Sequence, residues 1–133
     1  MITKAAILVF RNNQGRRELL FVRPKTRSYV VLPGGKQDPN ESIDDALERE
    51  LQEELGVNAK NVSKIGIVAG RTPDGRDIEE HLYTGELAGE PHSQTEIEEI
   101  FWLSKEDIAK HSETMTPLTL DHILPFLDTK QLW

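Results

Sequence analysis

Apolar positions change period along this chain, and the changes mark its elements. Ile2 to Arg11 alternates and reads as a strand; Asn12-Asn13-Gln14-Gly15 follows as a turn, and Glu18 to Arg23 as the second strand of a hairpin. Tyr29 to Leu32 predicts a short strand running into Pro33-Gly34-Gly35. The period then lengthens. Ile43, Leu47, Leu51 and Leu55 recur at helical spacing and form one stripe. Ser42 is the N-cap, with Asp45 as capping-box partner; Asp44 and Asp45 suit the positive end of the helix dipole, and Gly56 suits a left-handed C-terminal cap. A helix over Ile43 to Leu55 follows.

Beyond it, Val62 to Gly70 is rich in branched residues and reads as a strand. Thr72-Pro73-Asp74-Gly75 is a strong turn, with Glu79 to Leu87 as the hairpin partner. Gly89-Glu90-Pro91-His92 breaks that strand, and Ile100 to Leu103 is another short one. Ser104 caps a helix over Lys105 to Lys110, with Asp107 as box partner. Thr116-Pro117 opens a last helix to about Leu127, which Pro125 bends or ends. Strands and helices do not alternate regularly, so the expected class is α/β in the broad sense (α+β): a mixed sheet flanked by helices.

Charge alters the picture in one place. Glu54 falls inside the apolar stripe of the Ile43–Leu55 helix, with Glu50 on its edge and Glu53 just beyond, while Asp45, Glu48 and Gln52 face the solvated side. Glu50 and Glu54 are like charges four apart, which destabilises a helix. Turned toward the interior, they also carry a desolvation penalty. An acidic surface helix would place them elsewhere. A hard cation with oxygen ligands removes the conflict, and Mg²⁺ takes a few carboxylates together with waters and substrate phosphates.

These acids belong to a longer pattern. Gly35, Glu41, Arg49, Glu50, Leu51, Glu53, Glu54, Gly56 and Val57 fill every fixed position of G-x5-E-x7-R-E-U-x-E-E-x-G-U, where U is a bulky aliphatic residue. This resembles the box of the Nudix hydrolases. Leu32-Pro33-Gly34-Gly35 before it, and Glu96 to Trp102 after it, also look like that family, so the resemblance covers roughly Ile2 to Phe126. One departure is Val30, where many small members carry tryptophan; Tyr29 is the neighbouring aromatic.

The resemblance implies an α/β/α sandwich with a mixed sheet, and hydrolysis of a nucleoside diphosphate linked to another group. It implies Mg²⁺, for which Mn²⁺ can substitute. Carried over, Glu53 and Glu54 are the firmest metal ligands, Glu50 binds metal or acts as base, and Gly35 can offer a carbonyl. Arg49 orients a glutamate by an ion pair, and Glu41 supports the site from the loop. The base can also come from a later loop, where Glu96 is the first candidate and Glu98 and Glu99 the others. Phosphate contacts are expected from Arg23, Arg27 or Lys36. Tyr29, Tyr83 or Phe10 could stack on the base, though a core role is the safer reading of each, as for Trp102. The four histidines show no metal-ligand spacing.

Small members with few insertions resemble MutT-type enzymes, which release pyrophosphate from nucleoside triphosphates, oxidised guanine nucleotides included. That is the first expectation for substrate. ADP-ribose, other nucleotide sugars and dinucleoside polyphosphates are alternatives; Pro73 stands near where ADP-ribose pyrophosphatases carry a proline, although the hairpin turn accounts for it. A nucleotide-binding domain without turnover is a further alternative, but such domains lose box acids that this chain keeps.

The remaining properties bound the setting. The 133 residues predict one domain spanning the chain. The alternating start reads as a strand rather than a signal peptide, and no segment matches a membrane span. The chain has no cysteine, which excludes disulfides and thiolate zinc and fits a cytoplasmic protein. A net charge of -7 argues against a nucleic-acid polymer as partner but not against a single nucleotide. No membrane partner is expected, and a homodimer is the assembly that proteins similar to this one commonly form.

Overall fold

In a computed structural model that describes residues 1–94 and 96–133, β-branched and alternating segments build two small sheets. The elements are β1 (Ile2–Leu8), β2 (Phe10–Asn13), β3 (Arg16–Pro24), β4 (Gly34–Lys36), α1 (Ile43–Leu55), β5 (Ala59–Arg71), β6 (Asp77–Leu87), β7 (Ile97–Leu103), α2 (Lys105–His111) and α3 (Leu124–Thr129). One sheet has the order β4-β1-β6-β5, with β1 and β6 parallel and the other neighbours antiparallel. The other has the order β2-β3-β7 and is antiparallel.

Strands β1 and β3 are buried on both faces, and their alternation divides the core. Ala5, Ile7, Val9, Leu20 and Val22 pack with Leu47, Leu51 and Leu55 of α1. Ala6, Leu8, Leu19 and Phe21 pack on the other side with Met115, Leu118, Ile123 and Leu127. Helices therefore cover both faces of the strand layer, and the expected mixed fold is the observed one. Among the described residues, no helix is long and apolar enough to cross a membrane.

Helix α1 has the predicted bounds because its caps are local. The Ser42 side chain accepts from the Asp45 N–H at 3.0 Å, and Gly56 closes the helix at φ 67°. The full reciprocal capping box forms instead at α2, between Ser104 and Asp107.

Three expectations are corrected. The single strand over Ile2 to Arg11 is two, interrupted at Val9, where the chain crosses between sheets; the Val9 carbonyl accepts from Leu20 N–H at 3.0 Å. Tyr29 to Leu32 is not a strand. Val31 exchanges two 2.8 Å bonds with Val22, and Val30 pairs instead with the Met115 segment, so the run is held from two sides without joining a ladder. The pairing continues in Gly34–Lys36, which the proline-glycine signals read as loop. Third, Pro125 does not end the last helix. Thr119–Ile123 widens into a π-helical turn, in which Leu124 N–H donates to the Thr119 carbonyl, and α3 continues through the proline. The wider turn relieves the clash of a proline ring with the carbonyl four residues back.

Gly34 shows how tightly β4 is laid against β1. Its φ is 142°, and a Cβ built there would lie 1.9 Å from the Ala5 carbonyl oxygen. Gly75, in the β5–β6 turn at φ 87°, would meet nothing within 4 Å. Gly34→Ala should therefore cost roughly 3 kcal/mol from strain and overpacking together. Gly75→Ala should cost roughly 1 kcal/mol from its left-handed backbone alone. Urea unfolding of the two variants measures the difference, and equal losses would refute the close approach.

Candidate metal and nucleotide site

Two local facts bring the acids of α1 together with the β4 loop. Leu47, Leu51 and Leu55 must be buried, which turns Glu50 and Glu54 toward β4. Gly34 and Gly35 then let the backbone lie against the helix. A Cβ on Gly35 would sit 2.2 Å from the Glu50 carboxyl carbon, so any larger residue there would have to displace that carboxylate.

Glu54 is buried, and its Oε1 accepts from the Gly34 N–H at 2.9 Å. Burial pushes its carboxyl up to about 8, against the partial relief of that hydrogen bond. Glu50 is shifted upward too, by burial first, opposed by a hydrogen bond from Arg49 at 3.0 Å. Glu53 is about half exposed and accepts from the same Arg49 nitrogen at 3.2 Å. The Arg49 guanidinium also grips both oxygens of Glu41, at 2.9 and 3.0 Å, and donates to the Lys36 carbonyl at 2.9 Å. This fork holds the Glu41 carboxyl below its ordinary value, and the Glu41 partnership raises the guanidinium in turn. Arg49 thus ties the loop to the helix and orients the glutamates.

The later loop reaches the same place. His92 N–H donates to the Leu55 carbonyl and Gln94 N–H to that of Glu54, at 3.0 and 3.1 Å, which docks the segment on the end of α1. Glu96 is consequently near enough for its charge to push up both Glu50 and Glu54. Glu98 is exposed on β7, and Glu99 is paired with Arg23 at 3.1 Å.

A cavity of about 280 Å³ opens from these acids. Gly34, Gly35, Lys36, Glu50 and Glu54 line one end; Pro24, Arg27, Val31 and Leu32 form a wall; Thr116, Leu118 and Thr119 come from the last helical segment. Ile2, Lys4, Ile78 and Glu80 make the floor, and Arg71, Thr72, Pro73 and Arg76 of the β5–β6 hairpin close the far end.

Arg27 and Lys36 are therefore at the cavity, but Arg23 is held by Glu99 and does not line it. None of the aromatic candidates for stacking lines the cavity, and the core reading of Tyr83 agrees with the structure. Tyr29 is half-buried and does not line the cavity. Tyr83 is in the core and donates to Asp44 at 2.7 Å, and Phe10 packs near Trp133. Trp102 is half-buried beneath Arg11. Aliphatic side chains and prolines supply the apolar wall instead.

Lys4 and Glu80 escaped the reading of the sequence. A signal for them exists: each lies midway between two residues of its own strand that face the interior, Ile2 and Ala6 for Lys4, Ile78 and Leu82 for Glu80.

The donors at the acidic end are all oxygens, which suits Mg²⁺ or Mn²⁺. Buried carboxylates with raised pKa values are what a cation would relieve. Among the described residues, no three acidic or histidine side chains already surround a single point as ligands would, because Arg49 draws Glu50 and Glu53 to itself.

Comparison with known proteins agrees with this geometry. The NUDIX domain model matches residues 1–122. A Bacillus subtilis (strain 168) protein named as a provisional 8-oxo-dGTP diphosphatase is 37% identical over 89 residues, 67% of this chain and 56% of its own length. An 8-oxo-dGTP diphosphatase of Proteus vulgaris is 45% identical over 46 residues, 35% of this chain and 41% of its own length. The chain thus spans about half the length of the curated relatives it matches. Among solved structures, a NUDIX hydrolase from Nitrosomonas europaea aligns with a TM-score of 0.77 at 23% identity, covering 97% of this chain and 90% of that one. The NUDIX domain of Shewanella oneidensis NrtR, complexed with ADP ribose, aligns with a TM-score of 0.74 at 18% identity, covering 98% and 87%. These two likenesses show the fold.

The Glu54 shift has a consequence for stability. Its ordinary value is 4.5 and its folded value about 8, so the folded protein keeps a proton that the unfolded chain releases between them. Stability of the metal-free protein should therefore fall as pH rises through that window. Glu54→Gln should remove its share of the slope and stabilise the metal-free protein above pH 8 by an amount on the order of a few kcal/mol. Thermal unfolding of both proteins in chelator at several pH values tests this; parallel profiles would refute it.

Proposed function

The chain belongs to the Nudix family, and on that basis we propose that it hydrolyses a phosphoanhydride bond in a nucleoside diphosphate linked to another group, with nucleoside triphosphates, oxidised guanine nucleotides included, as the leading substrates. The observation that carries this reading is that Glu50 and Glu54 line a cavity that also holds Arg27 and Lys36, with Glu53 tied to Glu50 through Arg49. We take residues 1–133 as a single domain of this kind.

In this reading Glu50, Glu53 and Glu54, with the Gly35 carbonyl, hold Mg²⁺. When bound, the ion neutralises phosphate charge and makes water a better nucleophile. The chain's own groups supply the rest. Lys36 and Arg27 hold phosphate oxygens by charge-assisted hydrogen bonds. Arg49 touches no substrate and keeps the glutamates in place. Either Glu50, whose raised pKa suits proton acceptance, or Glu96 on the docked loop takes the proton of the attacking water. The aliphatic wall excludes bulk water around the nucleoside.

ADP-ribose is a second reading. Pro73, in addition to making its turn, lines the far end of the cavity, where Arg71 and Arg76 could meet a second sugar or phosphate. The names of the two diphosphatase relatives favour the triphosphate.

The discriminating experiment is a hydrolysis screen with Mg²⁺ over nucleoside triphosphates, ADP-ribose, dinucleoside polyphosphates and sugar nucleotides. Turnover of a triphosphate to monophosphate and pyrophosphate is expected, and no turnover of any of them would overturn the proposal. Glu53→Gln should lower kcat on the order of 100-fold or more. Its melting temperature should change little, since Glu53 is at the surface. Unchanged activity would refute its assignment as a ligand.

A further inference from the structure

One buried acid lies outside all of this chemistry. Glu80 is 4% exposed, yet its side chain lines the cavity floor. Among the described residues it receives no hydrogen bond and forms no ion pair; burial pushes its carboxyl up, and the charge of Lys4 opposes that. Parallel pairing of β1 with β6 sets Lys4 directly beside Glu80, and Lys4 lines the same floor. A buried carboxylate with no donor in the protein is costly, and such a group facing a cavity awaits a donor from outside.

Its position says which part of a nucleotide would reach it. In the sheet order β4-β1-β6, Glu80 and Lys36 are two strands apart, with Lys4 between them in register. Two strand spacings amount to roughly 10 Å. A nucleoside with its 5′-phosphates at Lys36 and Gly35 can bridge that gap, so its base edge comes over Lys4 and Glu80.

The chemistry of the pair is one-sided. Lys4 is a donor only; donors brought by a ligand, with the charge of Lys4 beside it, favour the ionised form of Glu80, which then accepts with two oxygens. The complementary edge offers one acceptor followed by two adjacent N–H donors. Guanine has it in O6, N1–H and the 2-amino group. Adenine presents a donor then an acceptor, cytosine a donor then two acceptors, and thymine one donor between two acceptors. We propose that Lys4 and Glu80 form the base-reading element of this site and select guanine, whether or not its C8 is oxidised. Lys4 donates to O6 while Glu80 accepts from N1–H and the 2-amino group. The cavity's aliphatic walls hold the ring, and Glu80 acquires the donors that the protein withholds.

This rests on the nucleotide-hydrolase reading only in taking the cavity as the nucleotide's site, so the test uses ligands that need no hydrolysis. Titration calorimetry with dGMP, dIMP and dAMP compares the edges; hypoxanthine keeps O6 and N1–H but lacks the 2-amino group. The wild type should bind dGMP on the order of 10- to 100-fold more tightly than dAMP, with dIMP between them. Glu80→Gln should abolish the ranking. Glu80→Asp, which keeps the carboxylate, should preserve its order and serves if the glutamine variant does not fold. Equal binding of the three by the wild type, no binding of any, or a Glu80→Gln loss that is the same for all three bases would overturn the assignment. Retained ranking without turnover of any triphosphate would instead count against the hydrolase reading alone. Turnover of triphosphates without a guanine preference in binding would overturn this proposal alone.

Discussion

The hydrogen bond from Gly34 N–H to the Glu54 carboxylate joins the two halves of the site, and both partners are constrained to make it. Glu54 stands in the apolar stripe of α1, so it is buried whenever Leu51 and Leu55 are. Gly34 lies so close to Ala5 that no side chain fits, which leaves its N–H free to face the helix. The bond therefore fixes the height of β4 against α1. Gly35, one residue on, is thereby brought against Glu50, and Lys36 is placed at the mouth of the cavity.

That arrangement concentrates negative charge, and Arg49 is the counterweight. One guanidinium serves Glu41, Glu50, Glu53 and the Lys36 carbonyl, so the loop and the helix carry a shared set of charge-assisted bonds. It leaves Glu54 unneutralised. The acid of this cluster buried most deeply is thus the one without an ion pair, and a cation at this spot would relieve the largest desolvation penalty in the cluster. The polar end of the cavity and the strained charge of the helix are one feature seen from two sides.

Parallel pairing of β1 with β6 does comparable work on the cavity floor. It aligns two strands whose interior faces are interrupted by a charged residue at the same level, Lys4 on one and Glu80 on the other. Each interruption would be a fault in a purely structural strand. Side by side, under a cavity that continues to the acidic cluster, they form a polar patch of defined donor and acceptor pattern.

How much of this was legible beforehand follows the range of the forces involved. Helix α1, its caps and the inward turn of its acids depend on contacts within a few residues, so spacing alone determined them, and the complete box identified the family and its fold. The Thr72–Gly75 turn was legible for the same reason, as was the hairpin turn at Gln14–Gly15, although Asn12 and Asn13 extend β2 instead of joining that turn. Other features depend on partners far away in the chain. Val9 breaks a strand because the chain changes sheets there. Val30 and Val31 fail to make a strand because Met115 and Val22 claim them separately, and the helix survives Pro125 by widening one turn. Arg23 pairs with Glu99 across the β3–β7 ladder and does not line the cavity, and neither does Tyr29. Glu96 shows both regimes, chosen by its place in the sequence but brought to Glu50 and Glu54 by backbone bonds from its loop to the end of α1. Lys4 and Glu80 carry a period-two signal in their own strands. That signal says only that a charge points inward; which neighbour it meets, and whether a cavity receives it, was decided by the pairing of strands more than seventy residues apart.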